Sequence, residues 1–193
     1  MSNSHSSSKR YLLTLLFAMT LPLFAQTAGQ ASTDSAELVA ETKALASKSL
    51  LLDITQTNAG YFAVGERGHV LSSPDGKSWA QIASIPTRST LTSIAAIDQK
   101  MWVGGHDGII IASSDGGKTW VRQRIDIFVP GSDNPSQGAP ILDVLFTDAE
   151  HGFAIGAYSL MLETQDGGAT WTSRRINAAV SAPTAAPVAS ESG

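Results

Sequence analysis

The chain has 193 residues, 42% of them hydrophobic and 16% charged, which suits one ordinary globular domain and excludes a wholly disordered or fibrous chain. A formal net charge of -4 argues against binding nucleic acid through its phosphates. The absence of cysteine excludes disulfides, Cys-ligated zinc and thiol catalysis.

In chain order, residues 1–31 read as a secretory signal peptide: Lys9 and Arg10 precede an apolar run from Tyr11 to Ala25, and small residues follow at Ala28 and Ala31. Thr20 and Pro22 interrupt the run, and it falls short of the roughly 20 apolar residues of a spanning helix. Cleavage and export to the periplasm or another extracytoplasmic space are expected, with a retained N-terminal membrane anchor as the alternative. Removal of this segment leaves 11 basic residues against 17 acidic ones. Residues 32–47 are expected to form a short helix or linker, with Asp34 as N-cap and Glu37 three residues on.

Residues 48–177 hold three repeats, at 48–85, 86–128 and 139–177, with an insertion at 129–138. Each carries the same octapeptide pattern. The first runs from Ser72 through Asp75 and Gly76 to Trp79, the second from Ser113 through Asp115, Gly117 and Thr119 to Trp120, and the third from Thr164 through Asp166, Gly168 and Thr170 to Trp171. The tryptophans lie 41 and then 51 residues apart, and a four-stranded propeller blade takes about 40–45. Strands are expected at 50–55, 61–64, 69–72 and 79–82 in the first unit. The second has them at 91–97, 101–104, 109–113 and 120–125, and the third at 141–146, 152–155, 160–163 and 171–176. The fold class is therefore all-β, a partial propeller of three four-stranded blades. Residues 178–193 are almost wholly Ala, Ser, Pro, Val and Thr and are expected to be a disordered tail.

The octapeptide has a mechanical explanation. An Asp in a tight turn accepts backbone N–H groups, the glycines permit positive φ, the Ser or Thr hydroxyl adds a local bond and the Trp opens the next strand. In the first copy Pro74 stands where the others have Asp and Asp75 comes one place later, so its carboxylate contacts are expected to differ.

The octapeptides resemble the Asp boxes of bacterial neuraminidase-type repeats. Together with Leu50-Leu51-Leu52-Asp53, Val64-Gly65-Glu66-Arg67-Gly68-His69 and Gly105-His106-Asp107-Gly108, they resemble the bacterial relatives of the photosystem II stability and assembly factor family, over roughly residues 48–176. The resemblance implies an exported seven-bladed propeller acting as a non-enzymatic assembly factor for a membrane-associated complex. A sialidase-like glycoside hydrolase is the enzymatic alternative, and a non-functional truncated fragment is a further one.

Alternating strands put the Asp boxes on one face of the blades and Glu66-Arg67, His106-Asp107 and Ala157-Tyr158 on the other, together with the insertion. Loops gathered over a rigid scaffold are a usual place for recognition. Glu66, Arg67, His106, Asp107 and Tyr158 are thus candidates for contact with a protein partner. Arg122 and Arg124, sharing a strand face by their spacing of two, and Arg174 and Arg175 are candidates for a basic stripe; a charged outer strand protected against edge pairing is the other reading. His69, His106 and His151 lie in three repeats without ligand spacing, so no metal is expected, and no cofactor or small-molecule substrate either. The catalytic set is expected to be empty, because Tyr61, Tyr158, Asp98, Asp143, Asp148 and Glu150 are scattered. Phe62, Val64 and Val70 in the first unit, and Leu160, Leu162 and Ile176 in the third, are expected to lack a neighbouring blade, which predicts self-association through unpaired blades or marginal stability.

Overall fold

The structure, a computed structural model, describes residues 37–174. The signal peptide expected at 1–31, the tail expected at 178–193, and Asp34, Arg175 and Ile176 lie outside them.

Among the described residues, twelve strands form three four-stranded antiparallel sheets, each in sequential order. Blade one holds β1 (Leu51–Thr57), β2 (Gly60–Gly65), β3 (Val70–Ser73) and β4 (Ala80–Gln81). Blade two holds β5 (Leu91–Ile97), β6 (Lys100–Gly105), β7 (Ile110–Ser113) and β8 (Val121–Arg124). Blade three holds β9 (Ile141–Phe146), β10 (Gly152–Gly156), β11 (Met161–Thr164) and β12 (Thr172–Ser173). The registers superpose the repeats residue by residue: Asp53 pairs with Val64, Ser93 with Gly104 and Asp143 with Ile155.

That superposition makes Gly65, Gly105 and Gly156 equivalent, so the second repeat's apolar run ends at Gly105 rather than Gly104. The reason is space. A Cβ on these three would lie 2.0 Å from the Leu50 carbonyl oxygen, 2.5 Å from that of Thr90 and 2.4 Å from that of Pro140. The same carbonyls accept the N–H groups of Glu66, His106 and Ala157 at 2.8–3.1 Å, which locks each inner strand to the end of its neighbour.

The core lies between blades, because a sheet with two apolar faces must bury both. Phe62, Val64 and Val70 of blade one pack against Met101, Val103, Ile109 and Ile111 of blade two. On the other side of blade two, Ile110 meets Ile141, Val144, Ala154, Leu160 and Leu162, and Trp102 meets Phe146. Polar latches cross the same interfaces: Ile94 N–H donates to Asp53 Oδ2 at 2.8 Å, and Thr92 Oγ1 donates to the Ile141 carbonyl at 2.6 Å.

This corrects the expectation about bare blade faces. Phe62, Val64, Val70, Leu160 and Leu162 are all buried by the central blade. Strand periodicity separates two faces but does not say which of them meets a neighbour. Among the described residues the far side of blade three is uncovered, with Leu145 and Ile155 60% and 47% exposed, and on the far side of blade one Ile54 is 57% exposed.

The helix expected within 34–47 is not formed in residues 37–45; only a 3-10 turn, Ala46–Lys48, follows. The segment is an extended strap whose backbone groups are taken by the blades. Ala40 N–H donates to the Ile85 carbonyl at 2.8 Å and Lys43 N–H to Gln81 Oε1 at 2.8 Å, while Arg88 Nε donates to the Val39 carbonyl at 2.7 Å. A helix would have withdrawn these groups. The strap ends with Ala46 packed on Ala63 and Leu71, covering part of the outer side of blade one.

Candidate functional site

One face carries the Asp boxes. Asp115 Oδ1 accepts the N–H groups of Lys118 and Thr119 at 3.0 and 2.9 Å and the Ser113 hydroxyl at 2.9 Å, and Oδ2 accepts the Thr119 hydroxyl at 2.6 Å. Asp166 is held likewise by Thr164 and Thr170. In the first copy Asp75 accepts Lys77 and Ser78 N–H, both at 2.8 Å, and the Ser73 hydroxyl at 3.0 Å. The backbone contacts are of the same kind as in the other two boxes, but the Ser78 hydroxyl lies 3.4 Å from Asp75 Oδ2 where Thr119 and Thr170 stand at 2.6 Å, a partial difference of the kind expected from sequence. The box serine is Ser73 rather than Ser72, and the turn has simply lost one residue between Asp75 and Trp79.

The boxes also join blades, a role their sequence does not display. A Cβ on Gly117 would lie 2.5 Å from the Phe62 ring, and one on Gly168 would lie 2.1 Å from Gln123 Oε1, so each box turn sits against the preceding blade. The Gly167 carbonyl accepts Trp102 Nε1 at 2.8 Å and Gln123 Nε2 at 3.0 Å. Gly116 and Gly167 donate to the carbonyls of Gln99 and Glu150, which puts the first-to-second strand turns, with Asp98 and Asp148, on this face too.

Hydrogen bonds hold all three box carboxyls far below the usual carboxylate range, at about 2. The leading cause is the Ser78 N–H for Asp75 and the Thr119 and Thr170 hydroxyls for Asp115 and Asp166. A depressed folded-state pKa contributes stability that is present above the unfolded value of about 4 and lost as pH falls through about 2. Thermal midpoints are therefore expected to fall between about pH 4 and pH 2, and Asp115→Asn is expected to melt lower at neutral pH with a shallower acid slope. Melts recorded from pH 2 to 6 check this.

The opposite face carries three equivalent tight turns. Their two central residues are Arg67-Gly68, Asp107-Gly108 and Tyr158-Ser159, all at positive φ between 55° and 71°. A two-residue turn with both φ positive favours Asn or Gly, so Tyr158 and Ser159 hold this conformation against their side-chain preference. Tyr158 is also 72% exposed. Strain beside an exposed aromatic is a feature of recognition surfaces more than of packing.

Glu66, Arg67, His106, Asp107 and Tyr158 thus stand at equivalent positions on three blades without converging on one point. Asp107 is tied to the Ser89 hydroxyl at 2.6 Å. Arg67 instead lines a cleft of about 240 Å³ with Glu41, Lys43, His69 and Arg88. Lys43 and Arg88 both pair with Glu41, and the Lys43 hydrogen bond is the main reason the Glu41 carboxyl sits below its ordinary range. His69 closes the first of these turns, its N–H donating to the Glu66 carbonyl at 3.0 Å, and is buried; burial pushes its imidazole below the usual range. Sequence reasoning missed Glu41, Lys43 and Arg88, because the strap and the linker after blade one carry no repeat signal.

The basic stripe does not form as expected. A bulge between Ile110 and Ile111 breaks the period of two, so Arg122 and Arg124 do not share a face. Arg122 donates to the Pro86 and Glu37 carbonyls, and Arg124 to the Gly108 carbonyl and Asp126. Arg174 pairs with Glu163 of its own blade. Arg122 and Arg124 act as struts. Tyr61, the other tyrosine of the described residues, lies against Gly76 in the first box turn.

Three antiparallel four-stranded blades, each closed by an Asp box, the second and third of which dock on the preceding blade, define an Asp-box β-propeller protein. The profile of the family described as "Photosynthesis system II assembly factor YCF48" matches residues 33–139 and 134–185. The chain belongs to that family. It is 29% identical over 135 residues to the photosystem II assembly lipoprotein Ycf48 of a Synechococcus strain, covering 66% of this chain and 38% of the relative. It is 44% identical over 52 residues to the protein of that name from Prochlorococcus marinus, covering 27% and 14%. Among solved structures, YCF48 from Cyanidioschyzon merolae superposes with a TM-score of 0.51 at 23% identity, over 65% of this chain and 39% of that one. A structure titled "YCF48 bound to D1 peptide" gives 0.52 at 19% identity, over 64% and 39%. At these identities the superpositions show the fold. The chain spans well under half the length of each of these relatives.

Proposed function

We propose that this chain is a non-catalytic, extracytoplasmic protein-binding module that helps assemble a membrane-associated photosystem complex, and that it meets its partner with the turn face rather than the Asp-box face. One observation carries the choice of face. The box side chains are spent on their own turns and neighbouring blades, whereas Arg67 and Tyr158 stand exposed in positive-φ turns beside the cationic cleft. Family membership, the lipoprotein names of the relatives and the D1 peptide bound by a structural neighbour support the partner class and the location. The acids weighed for catalysis support the non-enzymatic reading: Asp148 caps the N–H groups of Glu150 and His151, and Asp143 that of Val144.

Fluorescence anisotropy with a labelled D1 peptide tests the proposal. Saturable binding is expected, with Arg67→Glu weakening it by about tenfold or more, as reversal of an interface charge does. Arg67 makes no hydrogen bond within its blade, so the melt is expected to stay unchanged. Absence of binding, or affinity indifferent to Arg67 and Tyr158, would count against this face.

A further inference from the structure

We propose that the cleft between blades one and two on the box face binds a lysine side chain carried by an extended polypeptide. The repeats supply their own comparison, because the same gap between neighbouring blades occurs twice and only one copy is filled. Between blades two and three, Lys100 Nζ donates to the Ala149 carbonyl at 3.2 Å and lies over Gly167, 3.7 Å from where a Cβ there would stand. Trp102 Nε1 and Gln123 Nε2 donate to the Gly167 carbonyl at 2.8 and 3.0 Å. An ammonium and N–H donors from blade two thus satisfy the turn carbonyls of blade three.

The gap between blades one and two has the acceptors without the donors. The strand registers set Gly60, Phe62 and Ile82 where blade two has Lys100, Trp102 and Gln123, and none of these replacements carries a side-chain N–H. Gly116 holds the place of Gly167. Its N–H bonds the Gln99 carbonyl as that of Gly167 bonds Glu150, yet its own carbonyl meets no donor among the described residues, and a Cβ on it would meet nothing within 4 Å. What remains is a cleft of about 530 Å³ lined by Asn58, Asp98, Gln99, Asp115 and Lys118 around Gly116.

The occupant is read from what fills the other copy, and charge agrees with it. Two carboxylates, Asp98 and Asp115, line the cleft against one ammonium, Lys118. The oxygens of Asp115 are spent on the box, whereas those of Asp98 meet no donor among the described residues and are left for a cation. A free amine would supply the ammonium alone. A lysine within an extended segment also brings the backbone N–H groups that the Gly116 carbonyl lacks. The site asks nothing of the box side chains, and its ligand is separate from the partner met by the turn face.

Amide chemical shifts of the isotope-labelled chain, titrated with a capped alanine-lysine-alanine tripeptide, test the assignment. Saturable shifts are expected at 58–59, 98–99 and 116–118, and none when the lysine of the tripeptide is acetylated. Butylamine is expected to bind the same residues more weakly than the tripeptide. Asp98→Asn is expected to weaken tripeptide binding by about fivefold, as loss of an exposed ion pair does, and Lys118→Glu to tighten it. The melt of Asp98→Asn is expected to stay unchanged, because that carboxylate holds nothing in its own chain. Lack of saturation, shifts that survive acetylation, or affinity indifferent to Asp98 would overturn the site, and butylamine binding as tightly as the tripeptide would overturn the polypeptide as its ligand.

Discussion

Replacing Trp102 with alanine is expected to lower the thermal midpoint on the order of 10 °C, the largest loss from any single truncation in the described residues. The indole is 1% exposed on β6 and stacks on Phe146 of blade three with centroids 3.5 Å apart and planes 9° from parallel. Phe146 in turn meets Trp171 edge-on at 5.9 Å, so one ring links two blades through a chain of three. Truncating a buried tryptophan costs about 3–5 kcal/mol, and the cavity cannot collapse without moving blade three. The Gly167 carbonyl also loses its indole donor but keeps Gln123. Trp102→Phe, which retains the stack, is expected to melt between the two. Differential scanning calorimetry of the three proteins checks the order, and a parental melt for Trp102→Ala would refute the inter-blade role.

The second large effect is expected at Gly105, where alanine should cost about 1–3 kcal/mol through overpacking. The added Cβ would lie 2.5 Å from the Thr90 carbonyl oxygen and 2.8 Å from Ile109 Cγ2. The first is backbone and cannot swing aside, and the shift would stretch the bond from His106 N–H to that same carbonyl. Gly116→Ala is the control. It meets nothing within 4 Å and suffers only from φ of +72°, so a smaller fall, about 1 kcal/mol, is expected. Equal losses at the two positions in urea melts would refute the close-approach explanation.

Much of this was legible in the sequence because the determinants are local. Box residues fix their own turns, and alternating apolar residues fix the strands to within a residue or two. What failed depends on distant parts of the chain. Residues 34–47 are rich in Ala, Glu and Leu and read as a helix, yet Gln81, Ile85 and Arg88 compete for the backbone of residues 39–43 and hold that stretch extended. The bulge that separates Arg122 from Arg124 leaves no mark in spacing. Nor does the alternation at Phe62 and Val64 say that blade two, and not a missing neighbour, covers them. The candidate site was half visible: repeat equivalence picked out Arg67, Asp107 and Tyr158, while the strap residues that complete the cleft around Arg67 became adjacent only on folding.

The central claim is a division of labour between two faces, with boxes for stability and turns for recognition. Hydrogen exchange of the chain with and without its peptide partner tests it most directly, since both faces are read in one experiment. Slowed exchange is predicted at 66–69, 106–109 and 157–160 and in the strap around Lys43, with the box turns at 75–78, 115–119 and 166–170 unchanged. Protection confined to the box turns, or spread evenly over both faces, would contradict the account.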